Sequence, residues 1–182
     1  MTQAPSDDLR CLVIFILWEI WKARNFTIRG EPVSLSPVSS ILLEQPPSFE
    51  LPQLFIDRAF RSSTVAHGGG WVLCHSNRSL LLQGSSRFNA SSALEVETRT
   101  CWLALMVVLE QGFDRLILFS DCQTLVQTFL DSTQTPQEVA SLFYDIRILR
   151  CMFRSLCVVK TSRSQVNAAH ILAQRVCVAS VV

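Results

Sequence analysis

Three acidic residues of this 182-residue chain stand where they could share one reaction: Asp57, Glu97 and Asp121. Asp121 follows the apolar run Leu116-Ile117-Leu118-Phe119 and Ser120, and a helical pattern with Leu125, Val126 and Phe129 comes after it. The run reads as a strand buried on both faces. In an α/β sheet, ligands and catalytic groups gather at the carboxyl ends of such strands. Read alone, Asp121 is simply a helix N-cap. Asp57 is the one acid in the strand-like run Leu54-Phe55-Ile56-Asp57-Arg58-Ala59-Phe60. Glu97 lies two residues beyond Glu95, in a helix opened by the capping box Ser92-Ala93-Leu94-Glu95. Glu95 is best used folding back onto the cap. Glu97 points about 200° away around the axis and is free to face a site. If the first and fourth strands are parallel neighbours, Asp57 and Asp121 lie side by side and Glu97 closes the triangle. Crowded carboxylates repel one another. Such a cluster persists when it holds hard cations, and Mg²⁺ prefers oxygen ligands. Two such ions roughly 4 Å apart serve in-line phosphodiester cleavage.

The elements that must position these acids follow from the pattern of the chain. After the first strand, Ser62 to Gly70 reads as a loop ending in three glycines. Trp71–Cys74 and Ser79–Gly84 then flank His75-Ser76-Asn77-Arg78 as a hairpin. The capped helix buries Leu94, Cys101, Trp102, Leu105, Val108 and Leu109 and closes at Gly112. Helices are expected near Cys122–Leu130 and Gln137–Arg150, a last strand over Leu156–Lys160, and a final helix from Val166 to Val178. Trp71 and Trp102 read as core residues.

Composition bounds the rest. Hydrophobic content of 49% and charged content of 17% exclude a wholly disordered chain, and the length suits one domain with an appendage. The net charge of +1 neither announces nor excludes a nucleic-acid partner, since a local basic groove can hide in a neutral total. Arg58, Arg61, Arg87, Arg99, Lys160 and Arg163 could line such a groove or form an ordinary solvated face. The seven cysteines form no C-x-x-C pair and read as reduced, mostly core-facing thiols of an intracellular protein, nuclear or cytoplasmic and not secreted.

Residues 1–28 are expected to hold an apolar helix around Cys11–Trp21, which is too short and too interrupted by Glu19 to span a membrane. Its uncovered apolar face implies a protein partner or a neighbouring element. Residues 29–52, with Pro32, Pro37, Pro46, Pro47 and Pro52, read as a Pro/Ser-rich linker, and residues 53–182 as the folded α/β domain.

The chain resembles the ribonuclease H type 1 domains of plant non-LTR retroelements and their domesticated derivatives. The matching pieces are Ile56-Asp57-Arg58-Ala59-Phe60, Gly69-Gly70-Trp71-Val72-Leu73, Ala93-Leu94-Glu95-Val96-Glu97, Phe119-Ser120-Asp121-Cys122-Gln123 and Ala169-His170-Ile171-Leu172-Ala173. The resemblance implies an RNase H-like fold, a five-stranded mixed sheet of order 3-2-1-4-5 flanked by helices. It also implies Mg²⁺-dependent cleavage of the RNA strand of an RNA–DNA hybrid. Position by position, Asp57, Glu97 and Asp121 fall on the family's metal ligands, and His170 falls where the family has a fourth acid. Arg58 stands where the family has glycine. His170 should weaken one metal site or shift its preference toward Mn²⁺, because imidazole is a poorer Mg²⁺ ligand than carboxylate. Arg58 either points harmlessly to the opposite face of its strand or pairs with an acid. Two functions are therefore expected: a hybrid-specific endonuclease with catalytic Asp57, Glu97, Asp121 and His170, or a domesticated domain that no longer cuts and binds nucleic acid or protein.

Overall fold

The computed structural model describes residues 51–60, 67–131 and 135–178. The N-terminal helix expected over 1–28 lies outside the described residues, as do the expected linker except its last two positions, and Arg61. The elements are β1 (Gln53–Ala59), β2 (His67–Cys74), β3 (Leu80–Phe88), α1 (Ala93–Glu110), β4 (Arg115–Ser120) and α2 (Gln123–Leu130). A short 3-10 turn (Gln137–Val139), α3 (Ala140–Arg150), β5 (Ser155–Lys160) and α4 (Asn167–Val178) complete them. Five strands form one sheet in the order β3-β2-β1-β4-β5. β2 is antiparallel to both β1 and β3, whereas β4 is parallel to both β1 and β5.

The central place of β1 explains its unbroken apolar run: Leu54, Phe55 and Ile56 are all buried. β4 departs from the expectation of burial on both faces. Leu116, Leu118 and Ser120 are fully buried, but Ile117 and Phe119 on the other face are half-buried. The reason is tertiary: α4 packs on β1, β2 and β3, leaving that side of β4 partly covered.

Gly68, Gly69 and Gly70 correct the expected loop, because they lie inside β2. A β-carbon at Gly68 or Gly70 would run into the α4 backbone at Ala173 or Ala169. One at Gly69 would meet the Thr100 hydroxyl of α1. Alternate residues of the strand therefore touch α4 and α1, which places those helices on opposite faces of the sheet. Glycine serves close approach here rather than a turn. Gly70→Ala should cost about 1–3 kcal/mol in urea unfolding, the usual penalty of overpacking. A stability within a few tenths of wild type would show that α4 can back away freely.

At the start of α1, Ser92 Oγ accepts from Glu95 N at 3.1 Å. Glu95 Oε2 in turn accepts from Ser91 N at 2.8 Å, closing the box one residue earlier than its usual form. Glu95 also accepts from Arg99 one turn on. Burial opposes its charged form, but these hydrogen bonds outweigh it and hold the Glu95 carboxyl below its ordinary value. Gly112, at φ 86°, takes the left-handed conformation that closes the helix. The buried surface of α1 is wider than the expected stripe. Leu94, Trp102 and Leu109 are only half-buried, while Val96, Thr98, Thr100, Leu103, Ala104 and Met106 are buried as well. Packing against both the sheet and α3 produces this, and the Thr98 and Thr100 hydroxyls satisfy themselves on Leu94 O and Val96 O.

Six cysteines are described and all are free; Cys74, Cys101 and Cys177 are buried, whereas Cys151 and Cys157 are exposed. Among the described residues no helix is long and apolar enough to cross a membrane.

Candidate metal centre

Pairing between β1 and β4 stops at Phe55 and Phe119. Beyond that point the two strands no longer pair, and the next residues on the same faces are Asp57 and Asp121. Asp57 shares a face with Phe55 and Ala59, and Ala59 packs on Ala173 and Cys177 of α4. Glu97 comes from α1 on the opposite side of the sheet. One carboxylate oxygen from each of Asp57, Glu97 and Asp121 lies within 4.8 Å of the other two. Asp57 and Glu97 are buried and Asp121 is half-buried. The three acids that the sequence singles out do meet.

Neighbouring side chains fix this arrangement. Ser120 Oγ donates to Glu97 Oε1 at 2.7 Å. The same oxygen accepts from Cys122 N at 3.0 Å, so Ser120 ties the start of α2 to the acid. Cys122 occupies the cap position of α2 and makes no side-chain cap. Asp121 is therefore not the N-cap that its position alone suggests. Asp57 Oδ1 accepts from Arg58 N at 2.7 Å. Asp57 Oδ2 and Glu97 Oε2 are buried and accept no hydrogen bond. Leaving a buried carboxylate oxygen unpaired is costly, and a divalent cation is the partner that best satisfies several at once.

Two basic side chains stand against those two oxygens. Arg58 turns to the α1 face and brings Nε to 3.4 Å from Glu97 Oε2. Of the two expectations for this residue, pairing with an acid is the one realised. His170 Nδ1 lies 3.0 Å from Asp57 Oδ2 and 3.1 Å from Arg58 O. A carbonyl oxygen can only accept, so Nδ1 carries the hydrogen and gives it to Arg58 O. His170 Nε2 is 2.9 Å from Gln174 Nε2, within hydrogen-bond distance of the amide. Both ring nitrogens are thus engaged within the protein.

Burial lifts the Glu97 carboxyl from its ordinary 4.5 to about 8; the Ser120 hydrogen bond and the Arg58 charge oppose the rise, and the Asp57 and Asp121 charges add to it. Burial also lifts Asp57. The hydrogen bond from Arg58 N and the nearby His170 and Arg163 pull back, and the Asp121 charge pushes further up. The site resists full ionisation without an added positive charge.

The sequence model of a family described as reverse transcriptase-like matches residues 55–176. The chain belongs to that family. Its domain is RNase H-like, and solved structures of the same fold agree. RNase H1 of the halophilic archaeon Halobacterium salinarum is 21% identical with a TM-score of 0.62, over 68% of this chain and 95% of that one. LC11-RNase H1, isolated from compost by a metagenomic approach, is 14% identical with a TM-score of 0.67, over 72% and 99% of the two chains. LC11-RNase H1 has also been solved in complex with an RNA/DNA hybrid. A foamy viral protease-reverse transcriptase in complex with dsDNA is 14% identical with a TM-score of 0.61, over 74% and 99%. No curated protein matches the chain.

Within this RNase H-like domain, two residues around the acids, Ser120 and Gln174, hold positions that the sequence reading leaves out. Ser120 was visible only as a polar residue ending an apolar run. Gln174, four residues after His170, lies at helical contact spacing, which could have flagged it. Arg163, one of the basic residues expected for a groove, lies in the exposed loop before α4 and acts on Asp57 through its charge.

Proposed function

We propose that this RNase H-like domain hydrolyses the RNA strand of RNA–DNA hybrids as an endonuclease, with Asp57, Glu97 and Asp121 as ligands for Mg²⁺ or Mn²⁺. The observation that carries this reading is the convergence of three carboxylates, two of them with a buried oxygen that accepts no hydrogen bond. When bound, the metal supplies the charge that activates water and neutralises the leaving oxygen. Asp57 and Glu97 bring opposing sides of the sheet to one point, Ser120 fixes the Glu97 carboxylate, and Arg163 offers an exposed positive charge for a phosphate. His170, the fourth residue we assign to the catalytic group, orients the Asp57 side through Arg58 O and Gln174 instead of ligating. That LC11-RNase H1 binds a hybrid and the foamy viral enzyme binds dsDNA supports a nucleic-acid partner. Free thiols among the described cysteines support an intracellular location.

The engaged His170 and the Arg58 contact favour a second reading, a domesticated domain that binds nucleic acid without cutting. Labelled RNA–DNA hybrid incubated with Mg²⁺, Mn²⁺ or chelator decides between them. Cleavage of the RNA strand in either metal and none in chelator supports the nuclease. Intact hybrid in both metals, with binding retained in a gel shift, supports the second reading. His170→Asp should raise metal affinity about tenfold, since an engaged imidazole gives way to a carboxylate. The same change should lower metal-free stability, because a fourth acid then faces Asp57. Calorimetric titration with Mn²⁺ and a melting curve in chelator read both effects.

A further inference from the structure

We propose that Arg58 is an internal counter-cation for Glu97 that competes with divalent metal for the same carboxylate. The inference rests on the metal-site reading above and deepens it. Glu97 is fully buried, and its Oε1 is already taken by the Ser120 hydroxyl at 2.7 Å. Oε2 is the Glu97 oxygen that accepts no hydrogen bond, and Arg58 Nε stands 3.4 Å from it. The contact supplies charge but no hydrogen bond, and both Arg58 Nε and Glu97 Oε2 are left without one. A buried pair of poor geometry is held loosely, since its Coulomb gain must offset desolvation without directional bonds. The Arg58 side chain is also 35% exposed, so its guanidinium has a way out to solvent that the Glu97 carboxylate lacks.

The backbone of Arg58 strengthens the same assignment from another direction. Its N–H donates to Asp57 Oδ1 and its carbonyl accepts from His170 Nδ1. The main chain of residue 58 therefore organises Asp57, while its side chain neutralises Glu97. Removing the side-chain charge alone leaves the main-chain bonds in place, which makes the competition separable from site assembly.

The test is calorimetric titration of the full chain, stripped with chelator, with Mn²⁺ and with Mg²⁺ in alkaline buffer. Arg58→Gln keeps most of the stem and drops the charge; Arg58→Lys keeps the charge. Arg58→Gln should bind metal about tenfold tighter than wild type, whereas Arg58→Lys should stay within about threefold of it. The metal-free melting temperature of Arg58→Gln should fall, and its rise on adding metal should exceed that of wild type. Equal dissociation constants for wild type and Arg58→Gln would overturn the competition and leave the metal site standing. Folded protein that binds no metal in any of the three forms would overturn the metal site and the competition with it.

Discussion

Glu97→Gln makes the metal-free protein more stable, and the gain grows as the pH rises from about 4.5 to about 8. Burial raises the Glu97 carboxyl above the value it has in an unfolded chain, so folding takes up a proton across that interval. Below 4.5 both states are protonated and the full stability is present. Between the two values the unfolded chain has released its proton while the folded one keeps it, and stability is lost as the pH climbs. Glutamine never ionises, yet its carbonyl can still accept from the Ser120 hydroxyl that now holds Glu97 Oε1. The variant should therefore be more stable than wild type by about 2–4 kcal/mol near pH 9 in chelator, with a flatter pH profile. Adding Mn²⁺ should reverse the ranking, because wild type gains binding energy that the amide forfeits. Urea unfolding across a pH series, with and without metal, measures all of this. A wild-type profile that stays flat between the two values would mean that the carboxylate is solvated, and the buried site would fall with it.

Asp121→Asn separates chemistry from folding. Cleavage of the RNA strand should drop at least about a hundredfold in Mg²⁺ and Mn²⁺ alike, as losing several kcal/mol of charge stabilisation implies. Stability in chelator should hold or improve, since Asp121 is half-buried and the cap of α2 is Cys122. One of three crowded negative charges also disappears. Gel shifts with hybrid should be unchanged or tighter, because the substrate is itself an anion. Equal cleavage by wild type and the variant would remove Asp121 from the reaction.

Much of this site is legible in the sequence. The helical repeat separated the tasks of Glu95 and Glu97, and the structure has Glu95 on the cap and Glu97 in the cluster. The apolar run around Asp57 announced a strand, and the resemblance implied the strand order that the sheet adopts. What stayed hidden depends on neighbours distant in sequence. Alternation along β1 says that Arg58 faces away from Asp57; it cannot say that Glu97 waits there. Glycine runs serve turns and close contacts alike, so Gly68–Gly70 read as a loop until α1 and α4 are seen on either side. A histidine in a fourth acidic position reads as a weak ligand, and only Arg58 O and Gln174 reveal that both its nitrogens are engaged.

The three strand glycines carry an implication for judging other chains of this fold. They set how far each helix stands from the sheet, and one helix brings Glu97 while the other brings His170. A methyl group at Gly69 would press on the Thr100 hydroxyl of the helix that carries Glu97 while every acidic letter stayed in place. Counting carboxylates is thus an incomplete test for a working centre, and the thinnest residues of the neighbouring strand belong in the same inspection.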